Sequence, residues 1–180
     1  MTIGENSIGS IAIGYNDCTN KELNSTAGSK GVSIGRRSNF AINIGYNSKI
    51  GESCTKSLAI GSEVKIKDNS TASVAIGNKA YVGLFDNAKT QEMEEDFSKI
   101  KIDAGISIGE SASVGASNGL SIGLQSKIES AGGISIGTFA TVGTSSYAGI
   151  AIGLFSEAKG WNGLALGYRA VISTGTNEAI

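Results

Sequence analysis

The sequence predicts an all-β fold, a solenoid of short coils that each hold two strands and two turns. Three observations point there. A four-residue phrase, apolar–small–(Ile or Leu)–Gly, ends at Gly14, Gly35, Gly45, Gly61, Gly77, Gly109, Gly123, Gly137, Gly153 and Gly167, and Met1-Thr2-Ile3-Gly4 reads as a truncated first copy. The phrase alternates with period two, the spacing of a strand. Successive glycines lie mostly 10, 14 or 16 positions apart, with longer gaps of 21 and 32. A unit this short cannot bury an apolar face alone, so its copies must stack.

The first strand of each coil is the phrase itself, as in Ile134-Ser135-Ile136-Gly137. Its glycine closes the strand with a backbone conformation, or a close approach, that a Cβ would forbid. The residue ahead of the phrase is also tiny: Ser57, Ser73, Gly105, Gly119, Gly133. A second, weaker strand begins three positions after the glycine, as in Ala112-Ser113-Val114 and Ser126-Lys127-Ile128. About eleven coils at ~4.8 Å each give a rod on the order of 50 Å long.

The centre of the second strand is unrestricted and includes Asn39, Lys49, Lys65, Lys127 and Glu157, as solvent permits. The centre of the first strand reads Ala12, Ser33, Asn43, Ala59, Ala75, Ser107, Ser121, Ser135, Ala151 and Ala165, with no charge and no long side chain. The flanking isoleucines are expected to point into the coil. The small column is then expected to face a closely packed second surface, another copy of the same chain. This reading predicts a parallel homo-oligomer whose interface is the small column.

At this point the residues resemble a known family. "SVAIGNKAYVG" (73–83) and "GISIGESASVGASNGLSIG" (105–123) are similar to the head repeat of YadA-type trimeric autotransporter adhesins. The resemblance covers nearly the whole chain outside two inserts. It implies a left-handed parallel β-roll assembled as a parallel homotrimer. Bacterial members of that family carry a signal peptide, a neck, a coiled-coil stalk and a membrane barrel, and none of these is legible between Met1 and Ile180. Similar repeats occur in phage fibre proteins, which need no export signal. The resemblance therefore implies a virion fibre component, with a bacterial cell-surface adhesin head as the alternative. Possible partners are other fibre, capsid or tail proteins and a host surface receptor.

Composition narrows the function classes. Fifteen basic and sixteen acidic side chains give a net charge of −1, against the basic face that nucleic acid requires. No apolar run reaches the length of a membrane-spanning helix, and the N-terminus lacks the blocks of a signal peptide. Cys18 and Cys54 have no metal-ligand spacing and are expected to be free thiols. Histidine is absent, which removes the commonest general base and metal ligand. No phosphate-binding glycine loop or nucleophile elbow is present. An enzyme is not expected, and no cofactor is implied. Acyltransferases on triangular β-helices use six-residue repeats, unlike this chain. Ice-binding solenoids need a regular threonine array, which is missing.

Two inserts interrupt the single repeat domain, which spans 1–180. Residues 15–30 are polar and read as a surface loop. Residues 84–104 contain Met93, Phe97 and Ile100 at helical spacing with acids on the other side, so a short amphipathic helix is expected, docked on the rod or meeting a partner. Two positions after each glycine form a turn edge with Tyr15, Arg36, Arg37, Tyr46, Leu124, Phe139, Leu154, Phe155, Tyr168 and Arg169. Packing between turns or subunits is the plainer explanation for these aromatics. If the surface binds a partner, Arg37, Tyr46 and Trp161 are the candidates, with Met93 and Phe97 from the second insert.

Overall fold

The computed structural model describes residues 1–15, 32–83 and 102–175. Most of the first insert (residues 16–30, with Cys18) and most of the second (residues 84–101, with Met93 and Phe97) lie outside the described residues, as do residues 31 and 176–180. The expected helix therefore cannot be placed on the fold. The end of the second insert can be placed. Ile102–Asp103 is a strand that pairs in parallel with Ser70–Thr71, so the rod resumes at Ile102 rather than after Ala104.

The fold is a parallel β-solenoid with two long sheets. One sheet has nine strands: Ile11–Tyr15, Ile42–Tyr46, Leu58–Ser62, Val74–Ile76, Ile106–Ile108, Leu120–Ile122, Ile134–Ile136, Ile150–Ile152 and Leu164–Leu166. The other has ten: Thr2–Ile3, Ser33–Ile34, Lys49–Ile50, Lys65–Ile66, Tyr81–Val82, Ser113–Val114, Lys127–Ile128, Thr141–Val142, Glu157–Ala158 and Val171–Ile172. The chain alternates between the sheets. Every strand pairs in parallel with its counterpart one rung on, and equivalent residues stack in register, as in Ser121↔Ser135↔Ala151↔Ala165.

This topology corrects two assignments. Thr2–Ile3 pairs with Ser33–Ile34, which in turn pairs with Lys49–Ile50 in the ten-stranded sheet. Met1–Gly4 and Val32–Gly35 are therefore copies of the second strand, not of the first. Asn39, read as a second-strand centre, lies in a turn instead. Nine rungs of the first phrase at ~4.8 Å make a rod of roughly 40–45 Å, shorter than eleven copies imply.

The turns explain the glycines. Gly14, Gly45, Gly61, Gly77, Gly109, Gly123, Gly137, Gly153 and Gly167 all have positive φ, between 122° and 155°, a region closed to side chains. At each of them except Gly167, a Cβ would also collide with the carbonyl of the stacked glycine, 2.5 Å away for Gly137 against Gly153. Gly35 is excluded from this set. It has no left-handed φ, and its constraint is the backbone of Gly51 and Glu52 against it. Two residues after each turn glycine from Gly45 to Gly167 the chain again takes positive φ, as at Glu63, Lys79, Phe139 and Phe155. Those amides donate to the preceding rung, Lys79 N to Ser62 O (2.8 Å) and Phe155 N to Thr138 O (3.0 Å). The turn edge is thus a hydrogen-bonded ladder of its own.

Substitution at the turns should follow the geometry. Gly137→Ala is expected to cost about 2–4 kcal/mol through strain and collision. Gly143→Ala should be near neutral, since Gly143 lacks the left-handed φ and its nearest neighbour is Lys159 Cγ at 3.4 Å. Chemical denaturation of the two variants checks this. Ser107→Ala should stabilise by about 1 kcal/mol, because the buried Ser107 Oγ has no hydrogen-bond partner while its stacked neighbour is already Ala75.

Candidate functional site

The narrow interior of the roll decides which surface is available for contact. From the ten-stranded sheet, Ile34, Ile50, Ile66, Val82, Val114, Ile128 and Val142 point inward and are at most 2% exposed. Facing them from the nine-stranded sheet are Ala12, Asn43, Ala59, Ala75, Ser107, Ser121, Ser135, Ala151 and Ala165, all buried within the single chain. These are the residues expected at the intersubunit contact, and the structure moves them inside. The tenth, Ser33, lies half-buried in the other sheet, stacked between Thr2 and Lys49. The restriction on size is real, but its cause is intramolecular: there is room for one branched side chain per rung, so the opposite position must be small. The tiny residue before the phrase obeys the same limit. A Cβ on Gly119 would sit 2.8 Å from Val114 Cγ1, and one on Gly133 would sit 3.0 Å from Val142 Cγ1.

Polar members of the small column other than Ser107 bond inside the lumen. Asn43 Nδ2 donates to Ser33 O (2.8 Å) and Ser48 O (3.1 Å), while its Oδ1 accepts from Ser48 Oγ (2.6 Å). Ser126 Oγ donates to Ser135 O (3.0 Å) and lies 2.6 Å from Ser121 Oγ. Such groups are satisfied without water.

With the small column inside, the isoleucines must face out. Two positions per strand over nine strands form two outward columns, running from Ile11 and Ile13 to Leu164 and Leu166. Every residue in them is Ile, Leu or Val. They are half-buried along the rod and exposed at its ends, 48% at Ile11 and 66% at Leu166. The outward column of the other sheet is Thr2, Ser33, Lys49, Lys65, Tyr81, Ser113, Lys127, Thr141, Glu157 and Val171, an ordinary solvated surface. The contrast singles out the nine-stranded sheet, because a parallel sheet apolar on both faces is normally covered on both.

The turn edge after the nine-stranded sheet changes character along the rod. Tyr46, Asn47, Glu63 and Lys79 occupy one part; Leu124, Phe139, Leu154, Phe155 and Tyr168 occupy the other. Phe139 and Phe155 stack at 5.0 Å with an interplanar angle of 3°, and Arg169 lies over Phe155 at 5.8 Å. Stacking between rungs therefore accounts for these rings. Arg37 is not beside Tyr46. It belongs to the opposite edge, where its amide donates to Glu5 O (3.0 Å) and Arg36 pairs with Glu52 at 3.2 Å. Trp161 is on that edge too, 52% exposed and stacked on Tyr147 at 5.5 Å. With its amide turned to satisfy both neighbours, Asn162 donates to Tyr147 O (2.9 Å) and accepts from Trp161 Nε1 (3.1 Å). The structure thus distributes Arg37, Tyr46 and Trp161 over two edges rather than one patch.

Among the described residues, no three His, Cys, Asp or Glu side chains come together in a way that could hold a metal ion, and no helix is long and apolar enough to cross a membrane. Cys54 is fully buried and unpaired in any disulfide, its Sγ donating to Lys67 O (2.9 Å).

These observations define the chain as a parallel β-solenoid with one aliphatic and one polar outer face. No protein-family model, curated protein or solved structure matches it, so the resemblance to the adhesin head repeat stands on the repeat residues themselves.

Substitutions one residue apart should diverge. Ser121→Lys forces a charge into the lumen and should abolish cooperative folding. Ile122→Lys places the charge outside and should leave the β-sheet circular dichroism intact. A pH effect follows from Cys54. Burial pushes its thiol from about 9 up to about 11, so the folded state disfavours the thiolate. The associated stability, ~2–3 kcal/mol by linkage, is complete below pH 9 and is lost as pH rises from 9 to 11. Denaturation midpoints across that window should fall in the parent chain and fall less in Cys54→Ala.

Proposed function

We propose that this chain is a non-catalytic structural module that works as a stiff rod in a fibre. In this reading the rod is a left-handed roll, and three copies stand parallel with their nine-stranded sheets turned toward one another. One observation carries the proposal: the unbroken aliphatic face of that sheet. Water-facing sheets alternate with polar residues, as the ten-stranded sheet does here. A face that stays Ile, Leu or Val over nine consecutive rungs gains free energy when covered, at ~25 cal/mol per Å² removed from water. A second copy offers the same face at the same spacing, and a cyclic arrangement lets every copy bury it equally. The number three comes from the resemblance to trimeric adhesin heads.

Assembly leaves the ten-stranded sheet, the turn edges and the positions of both inserts outward. Repeated rungs with paired backbone groups resist local opening, which suits a spacer or display rod. The absence of histidine supports a role without acid–base chemistry. A virion fibre is the setting the repeat resemblance favours, with contact to a host surface through edge or insert residues. A bacterial cell-surface adhesin head would use the same architecture.

Light scattering of the purified chain tests the assembly. A trimer is expected, and Ile136→Lys is expected to give a folded species of one-third the mass. A monomeric parent chain, or an Ile136→Lys variant that stays trimeric, would contradict the interface assignment.

A further inference from the structure

The aliphatic face is bordered by two turn edges, and we propose that these edges dock on each other, the edge after the strands in one copy against the edge before the strands in the next. The occupant of each edge is thus a second copy of this chain. The contact rests on the lateral reading and adds what fixes the direction of the copies.

The aliphatic columns alone choose no direction. Their rungs are nearly identical, so a copy could reverse or slip at little cost. The edges are not uniform. The leading edge holds the second and third residues before each strand of the nine-stranded sheet. There the amides of Lys56, Asn118 and Ala148 donate to Asn39 O (2.8 Å), Asp103 O (2.8 Å) and Ala131 O (3.0 Å). The trailing edge holds the first and second residues after each closing glycine. Along it Glu63, Lys79 and Glu110 give way to Leu124, Phe139 and Phe155. Along the leading edge Lys56 and Asp103 give way to Ala131, Tyr147 and Trp161. Both edges change character at the same strand, Leu120–Ile122. Beyond it, Arg169 is the one charge on either edge among the described residues, and it lies over Phe155 and Tyr168. Between Phe40 and Trp161, every exposed large apolar side chain among the described residues belongs to one edge or the other.

Symmetry decides which edges meet. Rotation about an axis parallel to the rods sets the trailing edge of one copy beside the leading edge of the next, at equal height. The residues that then face each other are complementary. Lys56 and Glu63 flank one strand, Leu58–Ser62, and supply opposite charges. Phe40 and Tyr46 flank Ile42–Tyr46 at its two ends and supply rings. Further along, bulk meets small: Phe139 stands level with Gly132, and Phe155 with Ala148. Asp103 is level with Glu110, a like-charged pair, and Lys79 one rung away offers the opposite charge to both. Reversing one rod instead sets like edge beside like edge in opposite order. The rings of Phe139 and Phe155 would then lie against Glu63 and Asn47, which leaves apolar surface uncovered and charge desolvated.

Cross-linking tests the contact in the 180-residue chain with Cys18 replaced by serine. Asn118→Cys and Gln125→Cys lie on opposite edges at one level, both exposed and both in left-handed backbone that a non-glycine residue already occupies. A short bismaleimide should join the doubly substituted chains into covalent species up to the full bundle on a denaturing gel. Asn47→Cys with Phe155→Cys, which meet only in the reversed arrangement, should give none. A charge swap reads the same contact without a reagent. Glu63→Lys should raise the concentration at which the bundle dissociates about fivefold or more, and adding Lys56→Glu should restore it. Within one chain Glu63 pairs with Lys79 at 4.0 Å, whereas Lys56 lies on the far edge, so rescue by Lys56→Glu acts between copies. A bundle that forms while the 118/125 pair stays silent, a cross-link through 47 and 155, or no rescue by the charge swap would overturn edge docking and leave the lateral reading standing. A monomeric parent chain would overturn both.

Discussion

The structure depends on the width of its lumen. Two parallel sheets lie so close that each rung admits one branched side chain. The ten-stranded sheet supplies it, from Ile34 to Val142, and the nine-stranded sheet answers with Ala, Ser or Asn. The other features follow from that allocation. Gly119, Gly133 and Gly163, each ahead of its phrase, make room for branched side chains of the other sheet, and the turn glycines close the coil tightly enough to keep the sheets together. The large residues of the nine-stranded sheet, having no space inside, become its outer surface.

That inversion links fold to function. A single roll solves its own packing problem and creates another, an aliphatic strip along one side. Association is the simplest resolution, since identical copies carry the strip at an identical rung spacing. The polar lumen seams, Asn43 with Ser48 and Ser121 with Ser126, add directional bonds where aliphatic packing alone would permit slippage between rungs. Asn43 fits because the carbonyls of Ser33 and Ser48 meet its amide.

Much of the fold was legible in the sequence. Period-two phrases and their short recurrence yield a parallel solenoid with two strands per coil, and the glycines mark its turns. The faces were not legible, because in a phrase such as Ile-Ser-Ile either side can be the core. A signal was present nonetheless. Gly133 and Ser135 lie two positions apart, so both point to one side, and that side carries only tiny residues while Ile128 and Val142 of the other strand need a place to go. The two misassigned copies also had a signature. Removing Gly4 and Gly35 from the series leaves steps of 14 or 16 broken only by the intervals 14–45 and 77–109, each holding one insert. The ten-residue steps belonged to alternation between strands of different sheets. Proximity on the surface was the least legible feature. Arg37 and Tyr46 are near in sequence but belong to opposite edges, because the chain crosses between sheets in the intervening residues.

The most direct test of the inside-out assignment is the rate at which thiols introduced by Ser135→Cys and Ile136→Cys react with a small alkylating reagent in the folded chain, with Cys18 replaced by serine and Cys54 left buried. The account expects the thiol at 135 to be protected whether or not chains are associated, and the thiol at 136 to react once they are separated. Rapid reaction at 135 together with protection at 136 in separated chains would contradict it.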